Sequence, residues 1–137
     1  MHNNTVKFYI AARTGRKEEV AALKSVIEKR GHSLAVDWMR HGNIKPYLEN
    51  RGKAELHAIE DAQGARNCDV FILLSDEGGK GMYVELGIAI ASHLETGKPK
   101  IYAVGEFNDS VIFFFHPAVM RKRTMQEVLS DFGEGFR

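Results

Sequence analysis

The sequence predicts a single α/β domain, a parallel sheet with helices wound on both faces. Two observations carry that prediction. Short, apolar, β-prone runs alternate with segments whose apolar residues recur at helical spacing. The chain has 137 residues, 44% hydrophobic and 27% charged, which suits one globular unit spanning 1–137 and leaves no room for separate lobes.

Val6–Ala12 (VKFYIAA) reads as a first strand covered on both faces. Thr14-Gly15 breaks it, and Arg16–Arg30 follows with Val20, Leu23 and Ile27 at helical spacing and Gly31 as a stop. Ser33–Trp38 is a second short strand, and His41–Asn50 has turn residues without a period, so it reads as a loop. Gly52–Asn67 is a mostly polar helix with Leu56, Ile59, Ala62 and Arg66 on a narrow stripe. Asp69–Ser75 (DVFILLS) is a strand apolar through its middle, and Asp76–Gly81 (DEGGKG) is a glycine-rich turn. Met82–Glu95 is a helix with Leu86, Ile90 and Leu94 on one face. Gly97-Lys98-Pro99 turns into a fourth strand, Lys100–Val104. Val111–Phe115 (VIFFF) reads as a fifth strand or an irregular apolar segment, and Thr124 with Glu127 forms a capping box for a last helix. The whole is a flavodoxin-like, doubly wound domain of about five parallel strands. In such sheets ligands bind beyond the carboxyl ends of the strands. That directs attention to Ala11–Lys17, Ser75–Glu85 and Val104–Ser110.

Several function classes fall away. Nineteen basic and 18 acidic residues give a net charge of +1, which argues against a nucleic-acid polymer as partner but allows one small phosphate site. The longest apolar runs, Val70–Leu74 and Ile88–Ala91, fall far short of the roughly 20 residues that span a membrane. Cys68 is the only cysteine, and the start MHNNTVKFYIAA lacks the pattern of a signal peptide. Both fit a reducing cytoplasm. The turn after strand one, Ala11-Ala12-Arg13-Thr14-Gly15-Arg16, carries one glycine, where a dinucleotide fingerprint needs three. Asp76 ends strand three as a phospho-acceptor would, but no acidic pair follows strand one. The six histidines show no metal-ligand spacing and no G-x-S-x-G elbow occurs. No cofactor and no metal are expected.

Glu85 carries the most chemistry. It falls in the first turn of the helix after the glycine turn, among small and apolar neighbours, Gly81-Met82-Tyr83-Val84 and Leu86-Gly87-Ile88-Ala89. A carboxylate there complements the helix dipole, and that alone is an ordinary structural role. The glycines also allow a ligand close to the backbone. The positive helix end is expected to keep the carboxylate ionised, as a nucleophile requires. Asp69 opens its strand at the opposite end and reads as a cap or ion pair; Asp61 reads as part of a solvated helix face. Arg13, Arg16 and Lys17 gather at the start of helix one, where they either bind phosphate or serve solubility. Trp38 offers a flat face to a base or belongs to the core.

Taken together, Phe8-Tyr9-Ile10-Ala11-Ala12, Asp61, Cys68-Asp69-Val70-Phe71-Ile72-Leu73-Leu74, Gly81-Met82-Tyr83-Val84-Glu85-Leu86-Gly87-Ile88-Ala89 and Lys98-Pro99-Lys100-Ile101-Tyr102 resemble the nucleoside 2-deoxyribosyltransferase superfamily. That group also holds the 2′-deoxynucleoside 5′-phosphate N-hydrolases and pyrimidine-nucleotide N-glycosidases. The resemblance runs from about Lys7 to Val104. It implies that Glu85 attacks the anomeric carbon of a nucleoside or nucleotide, forming a covalent glycosyl ester resolved by a second base or by water. It implies Asp61 at the departing base. Ala12, Arg13, Gly79, Lys80 and Gly81 would line the pocket with Arg16 and Trp38, and Asp109 and Ser110 would reach in from a neighbouring subunit. Gly79 stands where the hydrolases carry a phosphate-binding serine and the transferases a base-contacting aspartate. The family dimerises, and the apolar Val111–Phe115 run suits a homodimer or higher homo-oligomer. Two rival readings share the scaffold: a TIR-like NAD glycohydrolase, and a non-catalytic nucleotide-binding module in which Glu85 serves only the helix dipole.

Overall fold

The computed structural model describes residues 5–37 and 44–132. In chain order the elements are β1 (Lys7–Ala11), a 3-10 turn (Thr14–Arg16), α1 (Lys17–Lys29), β2 (Ser33–Leu34), α2 (Arg51–Asn67), β3 (Val70–Leu74), α3 (Gly81–Thr96), β4 (Lys100–Val104), a 3-10 segment (Ile112–Phe115), β5 (Val119–Lys122) and α4 (Met125–Ser130). All five strands pair in parallel in the order β2-β1-β3-β4-β5. This is the flavodoxin-like arrangement, and its topological switch point lies between β1 and β3.

Alternation along the central strands splits the core into two layers. Phe8, Ile10, Val70, Ile72 and Leu74 pack with Val20 and Ile27 of α1 and Val128 and Leu129 of α4. Tyr9, Ala11, Phe71 and Leu73 pack on the other face with Ala65 of α2 and Met82, Leu86 and Ala89 of α3. Burial on both faces explains why β1 and β3 read as unbroken apolar runs. Asp69 ties the amino end of the sheet as a structural ion pair: its Oδ2 accepts from the Lys7 N–H at 2.8 Å and its Oδ1 lies 2.6 Å from Lys98 Nζ. The capping box at Thr124 forms as expected, with both reciprocal bonds to Glu127 present.

Four expectations need correction. The second strand spans only Ser33–Leu34, and Trp38 lies outside the described residues, so its expected role stays with the sequence. The fifth strand is Val119–Lys122, not Val111–Phe115. In the latter run, a 3-10 segment, Phe114 is fully buried while Ile112, Phe113 and Phe115 are exposed. On α2 the stripe is shifted: Leu56 and Ile59 are exposed, and Gly64 and Ala65 are buried. The helix lies so close to the sheet that a Cβ at Gly64 would sit 2.5 Å from Val36 Cγ2 and 2.8 Å from Tyr9 Cε2. On α3 Leu94 is exposed, while Met82, Leu86, Ala89 and Ile90 form the buried face. Among the described residues no helix is long and apolar enough to cross a membrane.

Candidate active site

At the switch point a cavity of 680 Å³ opens above the carboxyl ends of β1 and β3. The β1–α1 turn supplies Ala12, Arg13 and Thr14, and the β3–α3 turn with the start of α3 supplies Gly79, Lys80, Gly81, Met82 and Glu85. From the other side come Lys45 and Tyr47, in the segment leading to α2, and Asp61 on α2 itself. The turn at Gly79 has φ +97°, the left-handed region that a side chain rarely adopts. A Cβ there would also meet Met82 Cε at 2.7 Å.

Glu85 and Asp61, distant in sequence, border the same cavity. The solvated-face reading of Asp61 gives way to a position on the cavity wall, partly buried. Glu85 is also partly buried. The Tyr9 hydroxyl donates to Glu85 Oε2 from beneath, in the sheet. Tyr9 is 1% exposed. Burial first, and then the negative charge of Glu85, hold its phenol far above its ordinary range. Tyr9 therefore stays protonated and acts as the donor.

The expectation that helix α3 keeps Glu85 ionised is overturned. The helix starts at Gly81, so Glu85 sits beyond its first turn, where the dipole has faded. Burial pushes the Glu85 carboxyl up to about 7 from an ordinary 4.5; the Tyr9 hydrogen bond opposes that rise and the charge of Asp61 adds to it. A carboxyl in a cleft, titrating near neutrality beside a second carboxyl and a fixed donor, is an arrangement common to catalytic sites.

The basic residues divide. Arg16 does not line the cavity. Its Nη1 donates to the Ser75 carbonyl at 2.8 Å, its Nε and Nη2 bond Glu19 at 2.8 and 2.7 Å, and Nη1 lies 3.6 Å from Asp76 Oδ2. Arg16 spends its donors bracing the two turns together. Arg13 lines the cavity, with Nε 3.3 Å from Asp76 Oδ1. The Gly78 N–H first, and then Arg13 and Arg16, hold the Asp76 carboxyl below its usual range. The rim thus presents Arg13, Lys45 and Lys80, and the interior presents Asp61 and Glu85. The start of α3 also borders the cavity, and helix starts attract anions.

The loop after β4 contributes nothing to this cavity in its own chain. Asp109 and Ser110 are exposed, and neighbouring Asn108 donates through Nδ2 to the Lys122 carbonyl at 2.8 Å, toward β5. The reason is topological, since β4 lies beyond β3 and away from the switch point. Cys68 is fully buried, and burial pushes its thiol up to about 12, so it is a core residue. Among the described residues no group of three His, Cys, Asp or Glu side chains is placed to hold a metal ion.

Sequence reasoning missed Tyr9, Lys45 and Tyr47. Tyr9 reads as one more core aromatic, and its one signal is that a buried phenol needs a hydrogen-bond partner. Lys45 and Tyr47 fall in a stretch without periodicity between β2 and α2, where the path of the chain, not pattern, puts them at the site.

No protein-family model matches the chain, and no curated protein matches it in sequence. Among solved structures it is similar to the Clostridium botulinum CMP N-glycosidase BcmB, at 15% sequence identity and a TM-score of 0.58, covering 92% of this chain and 96% of that one. At that identity the likeness establishes a shared fold.

Proposed function

We propose that this chain cleaves the N-glycosidic bond of a (deoxy)nucleoside or its 5′-monophosphate, in the manner of the nucleoside 2-deoxyribosyltransferases. The observation that carries the reading is Glu85: a partly buried carboxyl at the switch-point cavity, bonded by Tyr9, with Asp61 lining the same cavity from α2. In the reaction a Glu85 carboxylate oxygen attacks the anomeric carbon, and the carbon–nitrogen bond to the base breaks. The bonding pair leaves on the base nitrogen, which takes a proton from Asp61; in the reactive form the one proton that the two carboxyls share rests on Asp61, and Glu85 is ionised. The glycosyl ester on Glu85 is then displaced by water or by a second base, whose proton returns to Asp61. Two displacements give net retention, as in retaining glycosidases.

Hydrolysis of a 5′-monophosphate is the second reading, and the rim favours it. Arg13, Lys45, Lys80 and the start of α3 gather positive charge at the cavity while the whole chain is nearly neutral. The similar structure, BcmB, is that of a CMP N-glycosidase, which agrees with a nucleotide substrate. Cys68 is a single, free, buried thiol, and a cytoplasmic location goes with this reading.

The experiment is a panel of nucleosides, 5′-monophosphates and NAD, with and without an acceptor base, followed by chromatography. Base release without acceptor supports hydrolysis, and exchange that needs an acceptor supports transfer. Nicotinamide release alone would replace this reading with NAD glycohydrolysis. No turnover of any member would leave a binding module. A 2-fluoro sugar analogue should trap an adduct on Glu85.

The reading includes a homodimer or higher homo-oligomer. Ile112 and Phe113 stand out at 79% and 63% exposure beside an apolar groove of 610 Å³ along Tyr83, Leu86, Ile90 and Leu94 of α3. A ridge and an apolar groove on one face are what a self-complementary two-fold contact uses. Asp109 and Ser110 precede the ridge and would travel with it toward the partner's site. Light scattering should give at least the dimer mass for the wild type and the monomer mass for Phe113→Asp. A monomeric wild type refutes the contact.

A further inference from the structure

One aromatic side chain on the cavity wall has no part in the chemistry above. Tyr47 is the single aromatic residue lining the cavity among the described residues, and it is 55% exposed. It does not pack into either core layer. Its backbone is nonetheless fixed. Asn50 Nδ2 donates to the carbonyls of Ile44 and Pro46 at 3.0 and 3.1 Å. The N–H groups of Glu49 and Asn50 donate to Pro46 and Tyr47 at 3.2 and 3.1 Å. A closed turn therefore holds the Tyr47 backbone at the cavity edge, and the ordering left for a ligand is that of the side chain. Lys45 Nζ lies 5.8 Å from the ring centroid, within cation–π range. Tyr47 stands in the segment that leads into α2, the helix carrying Asp61, while Arg13 and Lys80 come from the turns after β1 and β3. One side of the cavity thus carries Tyr47, Lys45 and Asp61, and the other carries Arg13, Lys80, Glu85 and the α3 start.

We infer that Tyr47, steadied by Lys45, is the stacking platform for the nucleobase and so determines affinity for the leaving group of the reaction proposed above. The inference rests on reading the cavity as a nucleotide site. Every base has a π face, so a platform of this kind rewards the presence of a base without reading its hydrogen-bonding edge. It discriminates a nucleotide from a bare sugar phosphate.

The test is calorimetric titration of the full chain carrying Glu85→Gln, which blocks turnover, with AMP, CMP and ribose 5-phosphate. Both nucleotides should bind more tightly than ribose 5-phosphate. Adding Tyr47→Ala should weaken the nucleotides by about 10- to 100-fold and change ribose 5-phosphate by less than about twofold. Tyr47→Phe, which keeps the ring, should restore nucleotide binding. Melting curves for each variant check folding. Equal losses for nucleotides and sugar phosphate, or no loss, overturn the platform. Tyr47-dependent nucleotide binding combined with no base release in the wild type would overturn the catalytic reading and leave the platform standing. No nucleotide binding at all would overturn both.

Discussion

Glu85→Gln should make the protein more stable at pH 8 and leave its stability almost unchanged at pH 4. Burial raises the folded carboxyl from 4.5 to about 7, and in the unfolded chain it returns to its ordinary value. Between those two values the folded state keeps a proton that the unfolded state has released. Stability contributed by the neutral carboxyl is therefore complete below about 4.5 and is lost as pH rises through about 7. The full difference corresponds to about 3 kcal/mol. Glu85 keeps some contact with solvent, so about 2 kcal/mol is the figure to expect. Glutamine has the same shape, offers an oxygen to the Tyr9 hydroxyl and never ionises. For a chain of 137 residues, about 2 kcal/mol raises the melting temperature by roughly 6 °C. The assay is thermal unfolding of both proteins from pH 4 to pH 8. The two midpoints should separate progressively above pH 5. A constant separation across the range would mean that Glu85 titrates as a surface acid, and the argument from burial would fail. The same substitution should abolish base release, since a functional group held at a stability cost is the usual trade at an active site.

Other perturbations probe the supports of this site. Tyr9→Phe removes the donor that favours the carboxylate, so Glu85 should titrate still higher. The nucleophile acts ionised, so kcat/KM rises with pH through about 7 in the wild type; in the variant that limb should move to higher pH and the rate fall about 10- to 100-fold. An unmoved midpoint would show that the hydroxyl does not act on Glu85. Gly64→Ala would place its Cβ 2.5 Å from Val36 and 2.8 Å from Tyr9. Overpacking of about 1–3 kcal/mol should exceed the helix gain of up to ~1 kcal/mol, and melting temperature and activity should fall together. Gly81→Ala meets nothing within 4 Å yet borders the cavity. Its melting temperature should hold while KM rises.

Much of the fold was legible because hydrophobic pattern reports burial directly. β1, β3 and β4 are buried on both faces, so they stand out as continuous apolar runs; α1 shows Val20 and Ile27 buried on one face. β5 was not legible. It is an edge strand of four residues with only Val119 buried, and one buried residue makes no period. The α2 stripe was misread for a related reason. Small residues, Gly64 and Ala65, let that helix approach the sheet, and hydrophobic periodicity gives such residues little weight.

At the site, the sequence alone pointed to Glu85, through the glycine turn before it and the small residues around it. Asp61 came forward only through a family resemblance. The grouping of Arg13 with Arg16 was a matter of adjacency in the chain. The fold separates them, directing one to the cavity and committing the other to Glu19 and the Ser75 carbonyl. The charge state of Glu85 was misjudged because a helix start is a local feature, while desolvation depends on everything packed above it. Tyr9 and Glu85 are 76 residues apart in the chain, and Tyr47 and Lys45 reach the cavity from a segment with no pattern. Local pattern determines which elements form and which faces they bury, because burial acts residue by residue. The protonation of a carboxyl depends on dielectric and on neighbours at hydrogen-bonding distance, and only the parallel pairing of β1 with β3 brings those neighbours together.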